Sequence, residues 1–382
     1  MEKRFPMLEN PFITKGYESA EYFCDRDAET NELISNIQNG RDTTLVSPRK
    51  FGKTGLILHT FETIKKKRLK YDTLYVDIYA TLSLSDFTKT LAEGILLTFP
   101  ERTSIGKAFL AFLKGLRPTL TYDSVSGTPQ LQFNYGTSAE KEYTLKSLFE
   151  FLNTRDRDVV LAFDEFQQIT EYPEKNIEAL LRTYVQSMRN VHFIFCGSKK
   201  RLMAEMFTSA NRPFFSSTST LTLDRIDSSK YAEFIEGHFK DAGRSVDDDA
   251  LAWILNWTRR HTFYTQSLCN EIFARGGDVK LSLVKAAAQY ILERESSYFL
   301  QYRELLTRQQ WLLLVAIAKE GSVSQLSSTK FLKQYGIGSI TNARRAAQAL
   351  VEKELLLTVE SKEKTEYMVY DVFLSHWLES EF

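Results

Sequence analysis

The sequence predicts an α/β chain in three parts: a parallel-sheet core, an all-α segment, and a small module of three helices and a hairpin. Three observations predict it. Short apolar runs at residues 43–46, 158–163 and 191–196 end in polar tips and alternate with helical patterns, as strands buried on both faces do. From 224 to 298 the apolar residues keep helical spacing throughout. After Tyr302, three short helical patterns lead into two strands around a polar turn. The corresponding domains are 1–223, with an insertion at about 100–144, then 224–302 and 303–382.

Size and composition allow this and narrow the chemistry. A chain of 382 residues has room for two or three cores. With 43% hydrophobic and 26% charged residues it reads as globular, and no apolar run approaches the ~20 residues that span a bilayer. Residues 1–6 lack the apolar stretch of a signal peptide, so the expected location is cytoplasmic, with no membrane partner. The 49 basic and 49 acidic residues cancel, which confines nucleic-acid binding to a local patch. Cys24, Cys196 and Cys269 are far apart and odd in number, as buried reduced thiols rather than a zinc site or disulfide framework. The five histidines are scattered too, which argues against a protein-held metal centre.

In chain order, Leu33, Ile34 and Ile37 mark an amphipathic helix that Asp25 or Asp27 could cap, with Arg26 and Glu29 at its start. Its place before the next motif makes it a candidate wall for a base pocket. Residues 47–54 read Ser-Pro-Arg-Lys-Phe-Gly-Lys-Thr, between the 43–46 strand and a helix carrying Leu56, Ile57, Leu58, Phe61 and Ile64. Gly-Lys-Thr alone is an ordinary helix start; in this strand-loop-helix context it is a phosphate-binding loop. Backbone N–H groups from Ser47, Pro48-Arg49-Lys50-Phe51, Gly52 and Gly55 line such a loop wherever an N–H exists. Lys53 reaches phosphate oxygens, and the Thr54 hydroxyl serves Mg²⁺. Ser47 stands where the motif's first glycine belongs, so its φ must be negative, while Gly52 keeps the close approach.

A second strand is expected at 71–78, with Asp77 near its end, and helices at 87–97 and 142–152. The insertion between them contains a helix with Leu110, Phe112 and Leu116, and a hairpin turning at Ser126-Gly127. Residues 158–165 run from an apolar strand into Asp164-Glu165. By itself that is a strand ending in an acid pair. Some 110 residues after a phosphate loop, it supplies Asp164 for the Mg²⁺ shell and Glu165 to polarise an attacking water. The strand at 191–196 ends in Gly197-Ser198, either a turn or a contact to the γ-phosphate through Ser198.

These tips resemble the AAA+ branch of P-loop ATPases, and more closely the archaeal-type ATPase family allied to the STAND signalling NTPases. The resemblance rests on Tyr22-Phe23-Cys24-Asp25-Arg26, the 47–54 loop, Asp164-Glu165-Phe166-Gln167, and Phe195-Cys196-Gly197-Ser198 followed by Met203. It implies a P-loop (AAA+-like) core, a helical lid and a C-terminal winged helix. It also implies ATP and Mg²⁺ as cofactors, with Lys53 and Thr54 on phosphate, Asp164 and Glu165 on metal and water, and Ser198 as sensor. Relatives often read Arg-Pro-Phe-Tyr-Gly-Arg after the sensor strand. Here Arg212-Pro213-Phe214-Phe215 leads to Ser216-Ser217, which leaves a catalytic arginine role to Arg212, Arg201 or another arginine. The lid's Gly-His-Pro-Tyr-Tyr-like motif reads Arg260-His261-Thr262-Phe263-Tyr264, with His261 the residue expected to face the nucleotide.

The third helix of the C-terminal module, 339–353, turns Ala343, Ala346, Ala347 and Leu350 inward and Arg344 and Arg345 outward. Those arginines suit double-stranded DNA. The wing, with Glu360, Glu363 and Glu366 against Lys362 and Lys364, is a poor basic footprint, so docking to a protein partner stands equally. The function expected is a slow, Mg²⁺-dependent ATPase switch with a winged-helix output and nucleotide-dependent homo-oligomers. The alternative is a nucleotide-binding regulatory protein with little hydrolysis.

Overall fold

The computed structural model describes residues 9–125, 127–360 and 365–382. The expectations for residues 1–6, for Ser126 in the hairpin turn and for Lys362, Glu363 and Lys364 in the wing lie outside the described residues. The chain forms two compact units, Lys15–Ile226 and Asp227–Phe382, the latter together with the described residues up to Thr14.

The first unit runs α1 (Asp27–Gln38), β1 (Thr43–Val46), α2 (Lys53–Lys66), β2 (Tyr71–Asp77), α3 (Leu84–Thr98) and α4 (Ser104–Leu116). It continues through the hairpin β3 (Thr119–Tyr122) and β4 (Pro129–Gln132), α5 (Ser138–Asn153), β5 (Asp158–Asp164), α6 (Ile177–Ser187), β6 (Val191–Gly197), α7 (Lys200–Thr208) and β7 (Ser219–Thr222). Five strands form one parallel sheet in the order β2-β5-β6-β1-β7. The phosphate strand β1 is thereby flanked by β6, and the acid strand β5 lies one strand further on.

Period-two alternation divides the sheet between two cores. Val159, Leu161 and Phe163 of β5 and Phe193 and Phe195 of β6 pack with α3, α4, α5 and α7 residues such as Phe87, Phe109, Phe149 and Met203. Val160, Ala162, Ile194 and Cys196 face the other way, against Leu33, Ile37, Leu56 and Ile57 of α1 and α2. The predicted insertion also feeds the first of these cores through Phe109, Leu113 and Leu131. Neither Asp25 nor Asp27 caps α1. The N-cap is Arg26, in left-handed backbone (φ 75°), without a side-chain cap.

At the opposite edge from the motif tips, Asp42 accepts the Phe193 N–H at 2.8 Å. Burial pushes its carboxyl up to about 6, against the lowering effect of that N–H and of nearby His192 and Arg182. A folded pKa above the unfolded one means the protonated form favours folding. The stabilisation is complete below about pH 4 and is lost as pH rises through 6. Asp42→Asn keeps the acceptor and removes the charge, so it should raise stability at pH 8 by about 3 kcal/mol and leave it nearly unchanged near pH 4. Urea unfolding at the two pH values checks this; an equal difference at both would contradict it.

The second unit contains α8 (Ser228–Asp241), α9 (Asp248–Trp257), α10 (Thr262–Arg275) and α11 (Leu281–Leu305). There follow α12 (Arg308–Glu320), α13 (Thr329–Tyr335), α14 (Ile340–Glu352), β8 (Leu356–Glu360), β9 (Thr365–Val369) and α15 (Val372–Glu381). Phe12 is buried here among Phe234, Phe239 and Phe273; the Asn10 side chain donates to the Asn270 carbonyl, and the Asn270 side chain donates to the Phe12 carbonyl. The strands β8 and β9 pair antiparallel, and a bridge from Val323 to Tyr367 extends them. Among the described residues, no helix is long and apolar enough to cross a membrane.

Candidate nucleotide site

The site begins where β1 ends. Ser47 is fully buried and keeps a negative φ, so the missing glycine costs no backbone strain; Lys50 (φ 62°) and Gly52 (φ 88°) take the left-handed turns. Gly52 is the N-cap of α2, so the loop delivers its N–H groups to a helix N-terminus suited to anions. Pro48 is partly buried, Arg49 and Lys50 are exposed, and Phe51 is buried. The Phe23 ring lies against Gly55, where an added Cβ would come within 3.0 Å of it, and stacks on His59 with centroids 4.7 Å apart.

Lys53 is buried, and its ammonium donates to the carbonyls of Ser47 (3.0 Å) and Pro48 (2.9 Å). Burial lowers its pKa, while Cys196, Asp164 and Glu165 oppose that. The loop thus holds its own cation in place. Phosphate oxygens would be stronger acceptors for it than these carbonyls.

Parallel pairing of β2, β5 and β6 brings the acids to the same edge. Thr54 Oγ1 donates to Asp164 Oδ2 at 2.6 Å, and the Tyr75 hydroxyl donates to the same oxygen at 2.7 Å. The Glu165 N–H donates to Asp164 Oδ1 at 2.9 Å. Glu165 has left-handed backbone (φ 55°), and its Oε2 accepts from Ser198 Oγ at 2.7 Å and from Gln167 Nε2. The Asp77 carboxyl, in register with Asp164, is raised by burial and further by Asp164 and Glu165. The hydroxyl and acid oxygens gathered here are the donors Mg²⁺ takes, and it ordinarily needs only one or two from protein beside the phosphates. The residues fit that ion.

Thus Ser47, Gly52, Lys53, Thr54, Asp164, Glu165 and Ser198 converge. Within the first unit, Arg26 and Arg212 have other partners. Arg26 is buried, with its guanidinium on Glu29 Oε1 (2.7 Å) and the Asp224 carbonyl (2.7 Å), tying α1 to the exit of β7. Arg212 pairs with Glu178 at 2.8 Å and Glu205 at 4.0 Å, and no bond joins it to Lys53, Glu165 or Ser198. His261 belongs to the second unit, buried at the N-cap of α10 against Tyr264. Arg344 and Arg345 are exposed on α14. Sequence reasoning missed Tyr75 as a partner of Asp164. The sequence carries a signal for it: Tyr75 lies on the expected strand 71–78, two residues before Asp77 and therefore on the same face.

Two family models match the chain. One, described as "ATPase domain predominantly from Archaea", covers residues 23–258, and the other, "Probable winged helix domain", covers residues 297–380. Among solved structures, the chain is similar to the Walker-type ATPase PABY2304 of Pyrococcus abyssi, with a TM-score of 0.65 and 17% identity over 96% of this chain and 99% of that one. It is also similar to the ORC2 protein of Aeropyrum pernix in its ADPNP–ADP complexes, with a TM-score of 0.59 and 14% identity over 97% and 98%. At those identities the likeness shows the fold. No curated protein matches the chain by sequence.

Proposed function

The chain belongs to the archaeal-type ATPase family, and from that premise we propose that it is a slow, Mg²⁺-dependent ATP switch whose winged helix is the output. What supports the reading is the convergence at one sheet edge of a phosphate loop, a hydroxyl–carboxylate pair (Thr54–Asp164) and a second carboxylate held by a hydroxyl (Glu165–Ser198). Mg²⁺, when bound, supplies positive charge against the phosphate oxygens, held by Thr54 and Asp164.

The chain's own residues do the remainder. Lys53 and the loop N–H groups fix the β- and γ-phosphates. Glu165 orients water and accepts its proton as the water oxygen bonds to the γ-phosphorus and the bond to the ADP oxygen breaks. Ser198, bonded to Glu165, reports the state of the γ-phosphate. We read residues 1–223 as core, 224–302 as lid and 303–382 as output module, with Arg344 and Arg345 offered to a DNA duplex or an acidic protein surface, in a cytoplasmic protein that forms nucleotide-dependent homo-oligomers.

A switch must carry the nucleotide state to the output module. Backbone hydrogen exchange across α12 to α15 should therefore differ between the ATP- and ADP-loaded protein, by threefold or more in rate for a contiguous set of amides. Identical exchange in both states, with nucleotide bound, would leave an ATPase without a switch.

A further inference from the structure

Gln167 lies two residues beyond the acid pair, in the short 3₁₀ turn Phe166–Glu171. It is buried to 3% exposure, which is costly for an amide unless the amide is used. Its Nε2 donates to Glu165 Oε2, the oxygen that also accepts from Ser198 Oγ at 2.7 Å. A carboxylate only accepts, so the amide must present its nitrogen to Glu165. The other end, Oε1, has no hydrogen-bond partner among the described residues.

The amide is also confined. A Cβ on Gly197 would lie 2.2 Å from Gln167 Oε1 and 2.6 Å from Met203 Cγ and Sδ, so only glycine at the end of β6 leaves room for it. On the same turn, the Phe166 ring packs on Phe195 (4.5 Å) and Phe214 (5.4 Å), which fixes where residue 167 emerges. The left-handed backbone at Glu165 then turns its side chain towards Gln167 and Ser198. Both donors fall on Oε2, and among the described residues no hydrogen bond falls on Oε1.

We propose that Gln167 is a positioning residue: with Ser198 it anchors Glu165 by Oε2, which leaves Oε1 as the atom that takes the proton of the attacking water. This rests on the reading of Glu165 as the base. Gln167 touches neither water nor nucleotide in this role, so it acts on turnover and not on binding. A second donor in a fixed amide restricts the carboxylate to one rotamer, which Ser198 alone, a rotating hydroxyl, does not.

The test is Gln167→Met, which keeps chain length and apolar contact and deletes the donor. Steady-state kcat should fall about tenfold, with KM and ATP affinity within twofold of wild type. In a Glu165→Gln background the same change should have no further effect. Gln167→Leu serves if the methionine variant does not fold, unchanged ATP affinity being the sign that it does. Unchanged or raised kcat overturns the proposal, as does an equal loss in the Glu165→Gln background, which marks a merely structural role. A wild-type protein that binds ATP and releases no phosphate overturns both this role and the reading of Glu165, whereas equal turnover in wild type and Gln167→Met overturns this role alone.

Discussion

Lys53→Ala should weaken ATP binding by about 100-fold or more, the largest effect on affinity expected of any single change. The ammonium is the buried cation of the loop, bonded to two carbonyls, and in the proposed site it would exchange them for phosphate oxygens. Charge-assisted hydrogen bonds contribute about 1.5–3 kcal/mol each, and every 1.4 kcal/mol is a factor of ten in affinity. The variant also leaves the Ser47 and Pro48 carbonyls without this donor, at a stability cost of about 1–3 kcal/mol. Calorimetric titration with ATP reads the first effect and thermal unfolding the second. Affinity within threefold of wild type would remove Lys53 from the site.

Glu165→Gln acts on the other side of the reaction. The substituted amide matches the carboxylate in size and can still accept from Ser198 and Gln167, so the edge of the sheet keeps its packing. What it loses is the ability to take a proton. General-base catalysis contributes roughly 10²–10⁴ in rate, so turnover should fall by at least about 100-fold while ATP remains bound. Asp164, Thr54 and Lys53 are untouched by the change, which is why binding and turnover separate in this variant and fall together in Lys53→Ala.

Much of this site is legible in the sequence because each half of it is local. The loop at 47–54 lies between an apolar strand and a helix, and Asp164-Glu165 ends an apolar run, so short-range pattern places both. What sequence pattern does not carry is register. Tyr75 reaches Asp164 only because β2 pairs with β5 so that Asp77 faces Asp164, and Gln167 reaches Glu165 only through a 3₁₀ turn held by a phenylalanine cluster. β7 escaped notice because Ser-Thr-Leu-Thr buries a single apolar residue, Leu221, and its β character comes from pairing with β1. Arg26 reads from sequence as a residue at the start of α1; its bond to the carbonyl of Asp224, 198 residues away, comes from the fold. Phe12 precedes the core in sequence but packs with helices that begin beyond residue 227. In the C-terminal module, Gly321 and Gly336 end their helices where expected, whereas α15 was not anticipated although its Phe373, Leu374, Trp377 and Leu378 are buried.

In the proposed mechanism, Glu165 is what makes this nucleotide-binding fold an ATPase. Phosphate release from ATP with Mg²⁺, measured for wild type and Glu165→Gln together with the ATP affinity of each, tests it most directly. The wild type should show measurable turnover that disappears on chelation of the metal, the variant a loss of at least about 100-fold, and the two equal affinities. Equal and negligible release from both proteins, with ATP bound to both, would contradict it and identify the chain as a nucleotide-binding regulator that does not hydrolyse.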